Sequence, residues 1–580
     1  WLKRALIDTR ADAVWVGWGF VSEHAAFVEL CDSLAINFIG PSAAVMHKMG
    51  DKIASKLLAE TAQVPVTPWS GGPVESLEQA REVCDRLGYP VMVKATAGGG
   101  GRGIRRVKAP DELEERFESA RSEALKAFGN GTVFIETMVE GARHIEVQVI
   151  ADKHGTAWGV GVRDCTVQRR NQKVIEEAPS PILTAEEDRE IRDAAVRLVK
   201  QAGYYNAGTV EGLFDTKTRE FFFMEMNTRL QVEHPVTEQT TGVDMVKLQL
   251  HVASGGKLEG PPPPLLGHAI EVRLNAEDPD NAFTPAPGKV ELFDVPIGPG
   301  VRVDSGVSAG DVIPPDFDSM IAKIIAHGRN RAEAMGRLRR ALLESSIVIR
   351  GGSSNKAFLL ELLSHPDVVA SNYDIGWLDR LTETRGPPRR PLADIALIRA
   401  AIDVYERESA LETAQFFASA GRGRPAVKPE IGHTVQLTYG SQAYELTTFK
   451  LGPGAYRVRV DTRSIEAHLD AIGEFAGFLT VGGTRYRVLA VTDGPTHLVE
   501  VEGMPYRISR DEGGVLRAPA PAVVLSIRVE PGQRVEAGEA LILLEAMKME
   551  VAVTAPVAGR VRSVEVLKSQ QVGPGTPLLK

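Results

Sequence analysis

Cysteine is almost absent. Cys31, Cys84 and Cys165 stand far apart in 580 residues, which excludes a disulfide framework and a cysteine-ligated zinc site. This scarcity favours a reducing, cytoplasmic setting. Excess positive charge is missing too: 67 Lys and Arg against 76 Asp and Glu leave a net charge of −9. No nucleic-acid partner is expected from that balance. No apolar run reaches the roughly 18–20 residues of a membrane span, and no basic-then-apolar signal stands at the N-terminus. No membrane partner is expected either. The glycine run 98–101 has its lysine, Lys94, before it and not after it, which is not the order of a Walker loop. The remaining composition, 43% hydrophobic and 25% charged, is that of a globular protein, with length for roughly three to five domains.

What is present begins with a strand–helix–strand pattern. An apolar run from Ala13 to Gly19 leads to Ser22-Glu23, a predicted helix start, and an amphipathic stretch from Phe27 to Leu34. A second run, Ala35 to Ile39, ends at Gly40-Pro41. Such a unit belongs to a parallel α/β sheet. The chain begins with Trp and this half-sheet reads as unfinished, so a fragment of a longer protein is expected. Met49-Gly50-Asp51-Lys52 opens a helix to about Ala62, and Pro65, Pro68 and Gly71-Gly72-Pro73 mark a linker. A strand from Pro90 to Val93, closed by Lys94, runs into the glycines 98–101. Consecutive glycines let backbone N–H groups turn toward an anion without Cβ obstruction.

The sharpest chemistry lies between residues 143 and 233. Arg143 to Val149 alternates, so His144 and Glu146 share a face. In Phe221 to Glu233 the same rule puts Glu225, Asn227 and Arg229 on one face and sends Phe222, Met224 and Met226 to the core. With Glu211 on a neighbouring strand, two carboxylates and an amide oxygen beside a phosphate loop suit Mg²⁺ or Mn²⁺. The alternative is a surface ion-pair network. Arg229 has the forked donor that grips a planar oxyanion. Cys165 is expected buried and inert, and His234 structural.

Residues 383–392 read as a linker. A helix with Ile395, Ile398, Ile402 and Tyr405 at helical spacing follows, and from about residue 431 the pattern changes to period two, an antiparallel β region. Residues 518–580 contain two similar halves offset by 37 positions: Val524 matches Val561, Val535 matches Val572, Gly538 matches Gly575 and Leu541 matches Leu578. This predicts a small pseudo-symmetric flattened β-barrel. The stretch 545–550 joins the halves and should present Lys548 at a hairpin tip.

These stretches resemble the biotin-dependent carboxylases. Ala546-Met547-Lys548-Met549 resembles the biotin carboxyl carrier motif, whose lysine bears biotin; the related lipoyl domains lack the flanking methionines. Gly17 to Glu23 resembles the biotin carboxylase N-terminal subdomain, and Lys94 before its glycines resembles the ATP-grasp lid. Residues 163–173, 229–235, 271–279, 314–323 and 376–381 extend the resemblance over about residues 1–382. The implied fold is multidomain α/β. It comprises an ATP-grasp biotin carboxylase with a partial Rossmann-like N-terminal subdomain (1–42), a linker helix (43–66), a lid (67–138) and a C-terminal catalytic subdomain (139–382). An antiparallel β region with a leading helix (383–515) and a flattened β-barrel biotinyl domain (516–580) follow.

The resemblance implies nucleotide contacts at Lys52, Lys94, Gly99, Gly100, Gly101, His144, Gln168 and Asn171, with Glu136 to Val139 at the adenine. It places catalysis on Arg229, Glu233, Arg273 and Lys173, ligand contacts on Gln231 and Val232, and the metal on Glu211, Glu225 and Asn227. ATP and bicarbonate would form carboxyphosphate, and CO₂ would be fixed on biotin held by Lys548, with Arg273 stabilising the biotin enolate. Two positions depart from the family: Ala97, where another Gly is usual, and Asn171, where many members carry His. Implied partners are a carboxyltransferase domain or subunit, an acyl-CoA through it, a biotin protein ligase and a second copy of the chain. Trp15 to Gly19 and Gly50 to Ser55 lean toward the single-chain acetyl-CoA or other acyl-CoA carboxylases. The alternatives are a pyruvate or methylcrotonyl-CoA carboxylase, a plain ATP-grasp ligase, and an inactive carrier or scaffold.

Overall fold

The computed structural model describes residues 1–96, 103–385, 390–420, 432–440, 442–510, 514–519, 521–546, 549–573 and 575–580. An antiparallel eight-stranded sheet carries most of the candidate residues. Its order is Glu220–Asn227, Asn206–Asp215, Arg143–Ala151, Ala157–Arg169, Gln172–Ala178, His268–Asn275, Met320–Gly328 and Val301–Ser305. The helix Ala185–Ala202, started by a Thr184–Glu187 capping box, packs on one half through Ile191, Leu198 and Val199. The helix Arg331–Glu344 covers the other half through Ala334, Leu338 and Leu342.

The edge strand Glu220–Asn227 corrects one expectation. A β-bulge between Phe223 and Glu225 breaks the alternation. Phe221, Phe223 and Met226 therefore enter the core, Phe222 is half-buried, and Met224 turns to the cavity wall beside Glu225.

At the N-terminus, Ala13–Val14 and Asn37–Phe38 pair in parallel around the helix Ala25–Ser33. The unit is as expected, with strands of only two residues. Its helix starts after His24 and not at Ser22-Glu23. Ser22 Oγ donates to Gly19 O, and the Glu23 carboxylate reaches the Thr228 N–H at 2.9 Å. Lys52–Thr61 is a helix as predicted; Asp51 caps it by accepting from the Ile53 and Ala54 N–H groups, both at 2.9 Å.

The lid is a separate three-stranded sheet, Ile104–Val107, Val91–Ala95 and Val133–Thr137, under the helices Leu77–Leu87 and Leu113–Phe128. The Pro-rich linker is pinned rather than loose. Pro65 O accepts from Phe223 N at 2.7 Å and Pro68 O from Thr137 N at 2.8 Å, so it ties the lid to the main sheet.

The strands from His433–Tyr439 to Met504–Arg510 close an eight-stranded antiparallel barrel. The helix Ala393–Ala420 leads into it, and Ala396, Ile398, Ala400, Ile402 and Val404 are buried. Burial on every side puts this part of the helix within the barrel, in one core with Leu437, Val458 and Tyr506. Lys356 Nζ binds Glu500 Oε1 at 2.6 Å and Ser345 O at 2.9 Å, anchoring the barrel to the end of the helix Arg331–Glu344.

The C-terminal unit keeps the predicted two-fold repetition. Gly538 N donates to Ala555 O at 2.7 Å, and 37 residues on Gly575 N donates to Ala518 O at 2.8 Å. Both glycines have positive φ, 86° and 73°, which a residue with a Cβ adopts only at a cost. Val524 and Val561 are both buried, as are Val535 and Val572. The strands Ala540–Ala546 and Met549–Thr554 pair with Ala546 opposite Met549. Lys548 itself, like Gly99, Gly100, Gly101 and Ala97, lies outside the described residues. Among the described residues no helix is long and apolar enough to cross a membrane.

Candidate active site

A cavity of about 480 Å³ opens between the lid and the main sheet. It gathers residues that lie far apart in sequence: Lys52, Lys94, Glu136, His144, Gln168, Asn171, Lys173, Glu211, Glu225, Asn227, Arg229, Gln231, Val232 and Arg273. Among the described residues, two sequence-derived candidates are not on its wall. Val139 is half-buried beside the lid, and Glu233 lies fully buried behind the wall.

Lys173 is the junction. Its Nζ meets Glu146 Oε2 at 2.6 Å, Glu211 Oε1 at 3.1 Å and Glu233 Oε1 at 2.5 Å. Burial would lower this ammonium, but Glu146, Glu211 and Glu233 outweigh burial and hold it well above the ordinary lysine range. Arg163, also fully buried, neutralises Glu146 from behind. Arg273 donates through Nε to Glu176 Oε1 at 2.6 Å and through Nη2 to Glu233 Oε2 at 3.0 Å. Burial alone would raise Glu233; Lys173, Arg273 and Arg163 instead keep it well below the usual carboxyl range.

Glu225 and Glu211 are direct cross-strand partners. Burial, with Glu211 beside it, pushes Glu225 above the ordinary carboxyl range. A divalent ion bound between the two carboxylates would offset their repulsion. The donors are two carboxylates and the Asn227 amide, an all-oxygen set that fits a hard cation. Asn227 Nδ2 donates to Glu211 Oε1 at 2.8 Å, and its Oδ1 accepts from Arg229 Nη2 at 3.2 Å.

Arg229 is oriented by a residue that sequence reasoning missed. Glu23 Oε2 accepts from Arg229 Nε at 2.9 Å, and Gln231 Oε1 accepts from Nη1 at 3.0 Å. His144 Nε2 stands 3.2 Å from Glu211 Oε2. Asn171 follows Arg170 in a two-residue hairpin between Arg169 and Gln172, and both turn residues have positive φ, 49° and 64°. Asn tolerates that geometry well, which accounts for it at this turn. His234 is structural as expected: Nδ1 donates to Gln231 O at 2.8 Å, and burial, with Lys323 nearby, brings the ring to about 3. Cys165 is fully buried, and burial pushes its thiol well above the usual range.

Glu136 holds the lid end together. Its carboxylate pairs with Lys94 and, at 2.7 Å, with Lys56, a buried lysine that also donates to Thr67 Oγ1 at 3.0 Å. Burial favours the neutral form, but Lys94 and Lys56 prevail and bring Glu136 to about 2 from its ordinary 4.5. The stability this provides is therefore complete above about pH 4.5 and is lost as pH falls toward 2. Glu136→Gln leaves the buried Lys56 and the half-buried Lys94 without their anion. It should cost about 3–5 kcal/mol in denaturant unfolding at pH 7; an unchanged midpoint would show that the ion triad contributes nothing.

Comparison with known proteins bears on this geometry. Residues 2–46 match the family model "Biotin carboxylase, N-terminal domain" and residues 51–260 match "Carbamoyl-phosphate synthase L chain, ATP binding domain". Residues 271–380 match "Biotin carboxylase C-terminal domain" and residues 514–580 match "Biotin-requiring enzyme". The chain is 36% identical to the mitochondrial methylcrotonoyl-CoA carboxylase subunit alpha of Mus musculus, over 99% of this chain and 83% of that protein. It is likewise 36% identical to the mitochondrial propionyl-CoA carboxylase alpha chain of Sus scrofa, over 100% of this chain and 82% of that one. Its structure is similar to the biotin carboxylase domain of Hydrogenobacter thermophilus 2-oxoglutarate carboxylase, solved with MgADP, ADP and bicarbonate. There the TM-score is 0.63 at 40% identity, covering 66% of this chain and 84% of that one.

Proposed function

Because the chain belongs to the biotin-dependent carboxylases, we propose that it carboxylates biotin carried on Lys548, with ATP and bicarbonate, and that a carboxyltransferase partner passes the carboxyl group to an acyl-CoA. One observation carries this reading. Lys173, Glu211, Glu225, Arg229 and Arg273 converge on a single cavity under a lid, in a chain whose C-terminal segment matches biotin-requiring enzymes.

Lys52, Lys94 and the glycines 98–101 would hold the phosphates. Glu211, Glu225 and Asn227 would hold Mg²⁺ or Mn²⁺, which when bound neutralises charge on the phosphate oxygens. Arg229, fixed by Glu23, offers the forked donor pair that a bicarbonate oxyanion fits. Glu233 takes the bicarbonate proton. Lys173 and Arg273 keep it ionised, yet they also weaken it as a base, so bicarbonate must displace one of their bonds to be deprotonated there. Arg273 meets the negative charge that develops on the biotin ureido group. The three cysteines are all free and buried, which suits a reducing, cytoplasmic setting.

An acyl-CoA of the methylcrotonoyl or propionyl kind is favoured as the acceptor, since the alpha-chain relatives carry those names. Their alpha designation also favours a separate carboxyltransferase subunit. ATP cleavage that requires bicarbonate and rises with free biotin is the expected result. A plain ligase would ignore biotin, and a scaffold would cleave nothing.

A further inference from the structure

Glu271 sits on the strand His268–Asn275, two residues before Arg273 and on the same face. It is fully buried, and neither carboxyl oxygen has a hydrogen-bond partner among the described residues. Its cross-strand neighbour is Glu176, also fully buried. Glu176 Oε1 accepts from Arg273 Nε, whereas Glu176 Oε2 has no hydrogen-bond partner among the described residues. Two bare carboxylates facing each other in a buried sheet would repel strongly. One proton held between them removes a charge and gives an orphan oxygen its donor.

The surrounding charges are already committed. Lys323, on the other neighbouring strand, donates to Val232 O at 2.7 Å and lies 3.5 Å from Asp304. Arg273 is shared by Glu176 and Glu233. The helix His234–Thr241 covers this face through Val236 against Ala269; its His234 is neutral and its Glu238 pairs with Arg302 at 2.6 Å. The helix Arg331–Glu344 covers the opposite face through Ala334 and Leu338, against Ile270 and Val272.

We propose that Glu271 is carried as a neutral acid that hydrogen-bonds Glu176, and that this bond fixes Glu176 behind Arg273 and so aims the guanidinium into the cavity. Burial pushes Glu271 well above the ordinary carboxyl range, Lys323 opposes it, and Glu176 adds to it. Burial raises Glu176 in the same way, against Arg273. Glu271 is thus a positioning residue acting through Glu176, and the inference rests on the role given to Arg273 above.

The test is the pH dependence of kcat for free-biotin carboxylation in wild type and Glu271→Gln. Glutamine keeps the shape and the donor, so Glu271→Gln matches wild type at neutral pH. As pH rises and Glu271 ionises, wild type loses rate because a second anion then repels Glu176; Glu271→Gln keeps its rate there. Glu271→Ala, with no donor, lowers kcat on the order of tenfold with KM for ATP unchanged. An infrared band of a protonated carboxyl, present in wild type and lost in Glu271→Gln, gives the second readout. Coincident pH profiles for wild type and Glu271→Gln overturn the inference, as does a neutral-pH loss in Glu271→Gln equal to that of Glu271→Ala. Arg273→Ala measured alongside separates the two claims. If it leaves carboxylation intact, the role of Arg273 falls; if it abolishes carboxylation while the two profiles coincide, only the role of Glu271 falls.

Discussion

Lys548→Ala removes all streptavidin binding from the protein while turnover of free biotin continues at close to the wild-type rate. The carrier has its own hydrophobic core, built from Val524, Leu541, Leu544, Val561 and Leu578, and shares none of it with the cavity. The described residues that flank Lys548, Ala546 and Met549, pair with each other within the carrier's own sheet. Loss of the tether should be total for carboxyl transfer and nearly silent for chemistry on free biotin. Retained streptavidin binding in Lys548→Ala would mean that biotin is attached elsewhere.

Arg273→Ala is expected to lower kcat for biotin carboxylation roughly 10²–10³-fold and to leave the dissociation constant for ATP unchanged. Among the described residues the guanidinium bonds the side chains of Glu176 and Glu233, whereas Lys94 belongs to the lid strand Val91–Ala95. Its removal strips two buried carboxylates of a counter-charge, so stability should also fall by about 3–5 kcal/mol. Arg273→Lys keeps the charge but not the fork, and should recover stability better than rate. Equal losses in ATP affinity and in carboxylation would make Arg273 a structural residue.

The sequence disclosed most of the fold and part of this site. The 37-residue repetition was legible because each half builds the same turn, at Gly538 and at Gly575, and both use positive φ. The antiparallel β region was legible as period two, but its closure into a barrel was not, and the spacing of Ile395, Ile398, Ile402 and Tyr405 did not show that the helix is buried on nearly every side. The acid face Glu225–Asn227 was legible from alternation, but the bulge at Met224 was not, since nothing local marks it. The Lys173 junction was hidden for a different reason. Its three carboxylates come from separate segments: sheet order brings Glu146 and Glu211 to it, and Glu233 arrives at the start of the helix His234–Thr241. Glu23 was read as a helix start because an acid before an amphipathic run has that meaning locally; its partner Arg229 is 206 residues away. Glu271 could have been noticed, because it shares a strand face with Arg273 at a spacing of two.

The central claim is nucleotide-driven carboxylation of a biotin tethered to this chain. Incubating the biotinylated protein with radiolabelled bicarbonate, ATP and Mg²⁺ tests it most directly. Acid-labile label should appear on the protein itself, map to the peptide containing Lys548, require ATP and vanish when avidin is added first. A protein that carries biotin, cleaves ATP and acquires no such label would contradict the account.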